Sequence, residues 1–167
     1  MRSSHTKAGI AVKLKELTAD RAFFPATHKA FLRRAFTRGL PLSLVGLPVY
    51  GVLRLFCKEV RSYHGVCRYY AVGKGWGGFS LGFFFVCAND SGEMTLAHEM
   101  GHCIANVSLG GFGMFFCTFR SFFRYWRMAA REKRRLANAP YESWWFERQA
   151  TELGHGFIER MNNKKEQ

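Results

Sequence analysis

Apolar and polar positions alternate along this chain with periods that separate helices from strands. Ile10, Leu14 and Leu17, with lysines between them, predict a short amphipathic helix over residues 10–22. Beyond Pro25, residues 27–37 set Ala30, Phe31 and Ala35 against His28, Lys29, Arg33 and Arg34, a second helix that Gly39 stops. Residues 40–56 are the most apolar run, interrupted by two prolines, two glycines and Arg54. The run falls slightly short of the roughly 20 residues a spanning helix needs, so it reads as a buried or interfacial segment; a single membrane anchor behind Arg33, Arg34 and Arg38 is the alternative. Val66–Val72 and Phe79–Val86 are rich in Val, Tyr and Phe and predict two strands of a hairpin, turning through Gly73–Gly78. That glycine run lacks the Lys-Ser/Thr of a phosphate loop.

The next helix starts near Asp90, a candidate cap with Glu93 as its capping-box partner, and ends at Gly110-Gly111-x-Gly113. Met94, Leu96, Ala97, Met100, Ile104 and Val107 supply its apolar positions. Residues 112–136 interleave phenylalanines with Arg120, Arg124, Arg127 and Arg131, which share one helical face. The first reading is a solvated arginine face over a packed aromatic face; the second is a basic amphipathic helix lying on an anionic membrane. After a break at 137–140, Trp144, Trp145, Ala150, Leu153, Phe157 and Ile158 give the apolar face of a last helix over 141–161. The expected fold is α+β and mostly helical, a small β-hairpin or sheet packed on the 90–110 helix and the C-terminal helix. Residues 1–167 form a single compact domain, with loose tails at 1–9 and 162–167.

Composition narrows the class. A hydrophobic content of 48% with 22% charged residues excludes general disorder. A net charge of +13 favours an anionic partner: an acidic protein, a lipid surface or, less favoured because no reader module is visible, nucleic acid. Cys57, Cys67, Cys87, Cys103 and Cys117 form no CxxC pair and read as reduced thiols, and residues 1–20 hold no apolar leader, so the expected location is cytoplasmic with membrane association as an addition.

The candidate chemistry lies in His98-Glu99-Met100-Gly101-His102. Histidines four residues apart sit one turn above each other and can close on one metal ion. Zinc suits such nitrogen donors, with three protein ligands and one open position for water. Glu99 beside it can take a proton from that water. The bland alternative is a pair of ordinary polar residues on a buried helix, at the cost of burying a carboxylate between them. A third ligand is needed. Ser108 stands where an extended histidine motif would place its next histidine, and no Asp follows Asp90. Glu147 is the main candidate, with Ala150 one turn on to allow close approach of two helices; Glu152 and His155 are the alternates, and a surface salt bridge is the competing role for Glu147.

With its later glutamate, this set resembles the gluzincin group of zinc metallopeptidases, at the scale of its minimal members. It is also similar to short bacterial-type metallopeptidase-like proteins, on four segments in order: Leu40-Pro41 to Gly46-Leu47, Gly77 to Gly82, His98 to His102, and Trp144 to Gly154. The resemblance implies His98, His102 and Glu147 as Zn2+ ligands, Glu99 as general base, and a peptide substrate. Many members place an Asp four residues after the ligand glutamate to orient a histidine; Thr151 stands here, so its hydroxyl, a carbonyl or a water must substitute. Tyr141 and His155 are the candidate transition-state donors. Phe79, Ser80, Leu81, Gly82 and Phe83 are the stretch on which an extended peptide would lie by β-augmentation. The rival readings are a non-catalytic, membrane-peripheral protein and a basic nucleic-acid-binding domain.

Overall fold

A computed structural model of the protein describes residues 23–57, 59–133 and 145–163. The helix expected over 10–22 lies outside them, as do Tyr141 and Trp144. The architecture is α+β and mostly helical. Helix α1 (His28–Ala35) is capped by Thr27, whose hydroxyl accepts from the Ala30 N–H at 3.2 Å, and it buries Phe31 and Ala35. Helix α2 (Leu40–Phe56) carries Pro41 in its first turn, where no N–H is missed, and a second proline, Pro48, inside. It buries Leu42, Ser43 and Gly46, and the Ser43 hydroxyl donates to the Ala35 carbonyl at 2.9 Å. The remaining apolar positions are largely exposed, Leu55 and Phe56 by more than four-fifths, so the segment is not a core helix. Among the described residues no single helix is long and apolar enough to cross a membrane, and α1 and α2 meet at a bend of 110°.

Strands β1 (Arg61–Tyr63), β2 (Cys67–Ala71), β3 (Gly78–Ser80) and β4 (Phe84–Cys87) form one sheet in the order β1-β2-β4-β3. The expected hairpin between 66–72 and 79–86 is not formed. β2 and β4 pair in parallel, Arg68 opposite Phe84, while β3 returns antiparallel on β4, Phe79 opposite Val86. The reason is Gly82. Its φ of +75° breaks the second predicted strand in two, and the Leu81 N–H closes the turn on the Phe84 carbonyl at 2.9 Å. A side chain there would also press on Ser43, at 2.7 Å from its hydroxyl. β4, Phe-Phe-Val-Cys, is buried at every residue, which suits a central strand, and β3 becomes the edge.

The loop through Gly73 and Gly75 is tied to the segment before the next helix. Asp90 accepts from the Gly75 N–H at 3.1 Å, and Asn89 donates to the Gly73 carbonyl at 2.9 Å. Asp90 therefore does not cap. Helix α3 (Glu93–Leu109) starts from Gly92, and Glu93 accepts instead from the Tyr63 hydroxyl at 2.6 Å. Gly110, at φ +65°, ends α3, and α4 (Gly111–Lys133) follows at once. Helix α5 (Trp145–Asn163) runs through Asn162 and Asn163, two residues expected in the tail.

Phe31, Tyr70, Phe84, Phe85, Met100 and Ile104 are fully buried where α1, the sheet and α3 meet. On its other side α3 crosses α5 at very short range: a Cβ on Gly101 would collide with the Ala150 carbonyl, and one on Gly154 with the Ala97 carbonyl. All five cysteines are free thiols. Helix α4 reverses the first reading of its faces. Its phenylalanines do not pack beneath a solvated arginine face; Phe112, Phe116 and Phe123 are 71%, 67% and 67% exposed.

Candidate metal centre

The four-residue spacing puts His98 and His102 on the face of α3 that meets α5, their rings 4.8 Å apart. Glu147, in the first turn of α5, is fully buried and points between them. Its Oε2 stands 3.2 Å from Nε2 of His98 and 3.2 Å from Nε2 of His102. The close crossing makes this reach available. Two helices that touch backbone to backbone, glycine against alanine, bring a short carboxylate side chain to both imidazoles.

Each side chain of this group has a neighbour behind it. Thr151, one turn after Glu147, donates its single hydroxyl proton to the Glu147 carbonyl at 3.1 Å. Its oxygen then accepts the Nδ1–H of His98 at 2.9 Å, which turns Nε2 of that ring toward the centre. Thr151 stands where the resemblance would place an aspartate, and its hydroxyl makes the hydrogen bond to His98. His102 lies against the Phe146 ring at 4.7 Å. The other carboxylate oxygen of Glu147, Oε1, accepts a short hydrogen bond from the Ser121 hydroxyl on α4. Burial pushes the Glu147 carboxyl up, but the contacts from His102, His98 and Ser121 outweigh it and hold the group below the usual carboxylate range.

These residues fit a metal ion. A tetrahedral ion with bonds of about 2.0–2.1 Å keeps neighbouring ligand atoms roughly 3.3 Å apart, close to the two 3.2 Å separations around Oε2. All three candidate ligand atoms lie within 4.8 Å of one another. Two imidazole nitrogens converge on one buried carboxylate oxygen, a donor set of the kind that a single ion can bridge.

Glu99 faces a cavity of about 450 Å³ that His102 also lines. It is 5% exposed, and its Oε2 has no hydrogen-bond partner among the described residues. Burial pushes its carboxyl up, opposed by His102 and His98. Gly78 of β3 makes room for it, since a Cβ there would lie 2.7–2.9 Å from the carboxylate group. Glu99 and His102 share the cavity with Gly78, Phe79, Ser80 and Leu81 on one side. Val49 of α2 and Phe119, Phe122, Tyr125 and Trp126 of α4 form another wall.

The structure therefore brings His98, Glu99, His102 and Glu147 together with Phe79, Ser80 and Leu81. It does not bring in the rest of the expected set. Gly82 belongs to the turn, and Phe83 is buried with its ring 5.2 Å from those of Tyr50 and Phe36. Glu152 and His155 are exposed on α5, outside the group formed by His98, His102 and Glu147. Tyr141 lies outside the described residues. Arg120 and Arg127 are exposed on α4, Arg124 is half-buried, and the side chain of Arg131 lies outside the description.

Three contributors were not foreseen: Ser121, Gly78 and Tyr125. Ser121 had a weak signal, because Ser121 and Thr118 are the only aliphatic hydroxyls in a helix rich in aromatics and cations. Comparison of the chain with protein-family models, with curated proteins and with solved structures returned no match.

Proposed function

We propose that this protein is a zinc-dependent peptidase. The observation that supports the reading best is the convergence of His98 and His102 on one carboxylate oxygen of Glu147, beside a buried Glu99 whose Oε2 faces a cavity with no partner among the described residues. His98, His102 and Glu147 would hold the ion, which when bound supplies Lewis acidity: it acidifies water and polarises a carbonyl.

The chain's own residues account for the remainder. β3 is a sheet edge, and an extended peptide can pair along it, which lays its backbone across the cavity at Phe79 and Ser80. Glu99 accepts a proton as water adds to the scissile carbonyl, then returns it to the amine as the C–N bond breaks. The apolar wall of α2 and α4 excludes bulk water and strengthens each of these electrostatic contacts.

Elemental analysis of wild type, His102→Ala, Glu147→Ala and Glu99→Gln tests the reading. Wild type is expected to carry about one zinc per chain and both ligand variants none. Glu99→Gln is expected to keep the metal while peptide hydrolysis drops roughly 10²–10⁴-fold. A reconstituted wild type that holds no zinc would end the proposal.

A further inference from the structure

Helix α4 carries a stripe of bulky aromatics that stays largely exposed. Phe112, Phe116, Phe119, Phe123 and Trp126 recur at spacings of four and three, so they share one face, and each is exposed. Arg120 and Arg127, also exposed, run beside the stripe about a quarter-turn around the helix. Helix α2, which packs on α4, adds exposed Leu44, Leu47, Val52, Leu55 and Phe56 with Arg54 among them. Patches of this extent on a chain of net charge +13 call for a covering partner.

We infer that this face docks on an anionic lipid bilayer, with the aromatic stripe of α4 in the headgroup–acyl boundary and Arg120 and Arg127 on the lipid phosphates. Three observations separate this occupant from others. A second copy would set arginine row against arginine row, and α4 holds a single acid, Glu132, to offset them. Nucleic acid would use aromatics for stacking, but the leucines and valine exposed on α2 have no such use, whereas acyl chains accept them equally. The charge that flanks the stripe is the sign a negatively charged membrane attracts.

The docking face is continuous with the cavity, because Phe119 and Trp126 belong both to the exposed stripe and to the cavity wall. Docking places the rim of the cleft at headgroup level. Taken with the peptidase reading, on which this clause alone rests, the substrate class is a peptide segment lying at a membrane surface.

Co-sedimentation of the full chain with large unilamellar vesicles tests the docking without any assay of turnover. Wild type is expected in the pellet with phosphatidylcholine vesicles containing about a third phosphatidylglycerol, and less so as salt rises. Arg120→Gln with Arg127→Gln is expected to weaken partitioning by roughly 25-fold, about fivefold for each arginine. Phe116→Glu with Phe123→Glu is expected to abolish it, with the helical circular-dichroism signal unchanged because both side chains are exposed. A wild type that stays in the supernatant overturns the inference. So does binding by the glutamate variant equal to wild type. A wild-type dimer that those substitutions dissolve, or preference for RNA over vesicles, gives the face to another occupant and overturns it as well.

Discussion

At the scale of single residues, the two oxygens of Glu147 have separate duties. Oε2 meets both imidazoles and Oε1 is fixed by Ser121, so the carboxylate is held in one orientation by an element that supplies none of the three candidate ligands. Ser121→Ala leaves a buried oxygen without its donor. It is expected to weaken zinc affinity roughly 10–100-fold in chelator competition, with the metal still bound at saturation. Thr151→Val removes the acceptor from His98 Nδ1 and is expected to act in the same direction. Glu99 stands apart from both, so neither change should reproduce the phenotype of Glu99→Gln. For the developing oxyanion, Tyr125 offers a phenol on the cavity wall, whereas Trp76, also on the wall, spends its indole N–H on the Val72 carbonyl at 2.7 Å. Tyr125→Phe is expected to lower kcat about 10²-fold with little change in KM, if the hydroxyl acts on the transition state alone.

Among the elements, the crossing of α3 on α5 sets the centre. Gly101 and Gly154 face the Ala150 and Ala97 carbonyls, and nothing larger than hydrogen fits at either place. Gly101→Ala forces the helices apart. The expected cost is about 1–3 kcal/mol in thermal unfolding, with loss of metal out of proportion to loss of fold, because separation of the helices moves Glu147 from the histidines. Gly78→Ala acts on another element. Its Cβ would press on the Glu99 carboxylate from β3, so turnover should fall while zinc content holds. Comparing the two variants by elemental analysis separates helix spacing from placement of the base.

For the whole molecule, the candidate centre joins segments distant in the chain: α3 and α5 give the three residues that could hold an ion, and α4 reaches them through Ser121. Metal bound to the native state alone stabilises it by mass action, about 2.7 kcal/mol at a hundredfold excess over Kd. For a chain of this size that is roughly 5–10 °C in Tm. A chelator is expected to lower the Tm of wild type by that amount and to leave Glu147→Ala unmoved, as read by differential scanning calorimetry.

The local parts of this protein were legible from its residues because they depend on neighbours in sequence. The α+β class, the helices around 28–35, 93–109 and 145–163, and the placing of His98 and His102 on one face follow from a 3.6-residue period and a four-residue spacing. Glu147 could be reached by elimination, since few carboxylates remain after His102. Tertiary structure alone decided the rest. The parallel pairing of β2 with β4 depends on Gly82 turning against Ser43 of α2, a contact about forty residues away that no strand propensity encodes. Asp90 and Glu93 satisfied their oxygens on Gly75 and Tyr63 rather than on the helix end, because partners supplied by the fold competed with the local cap. Periodicity could say that α4 has an aromatic and a basic side. It could not say which of them the rest of the molecule covers, because burial is a property of what packs against a face, and the aromatic side of α4 was left open.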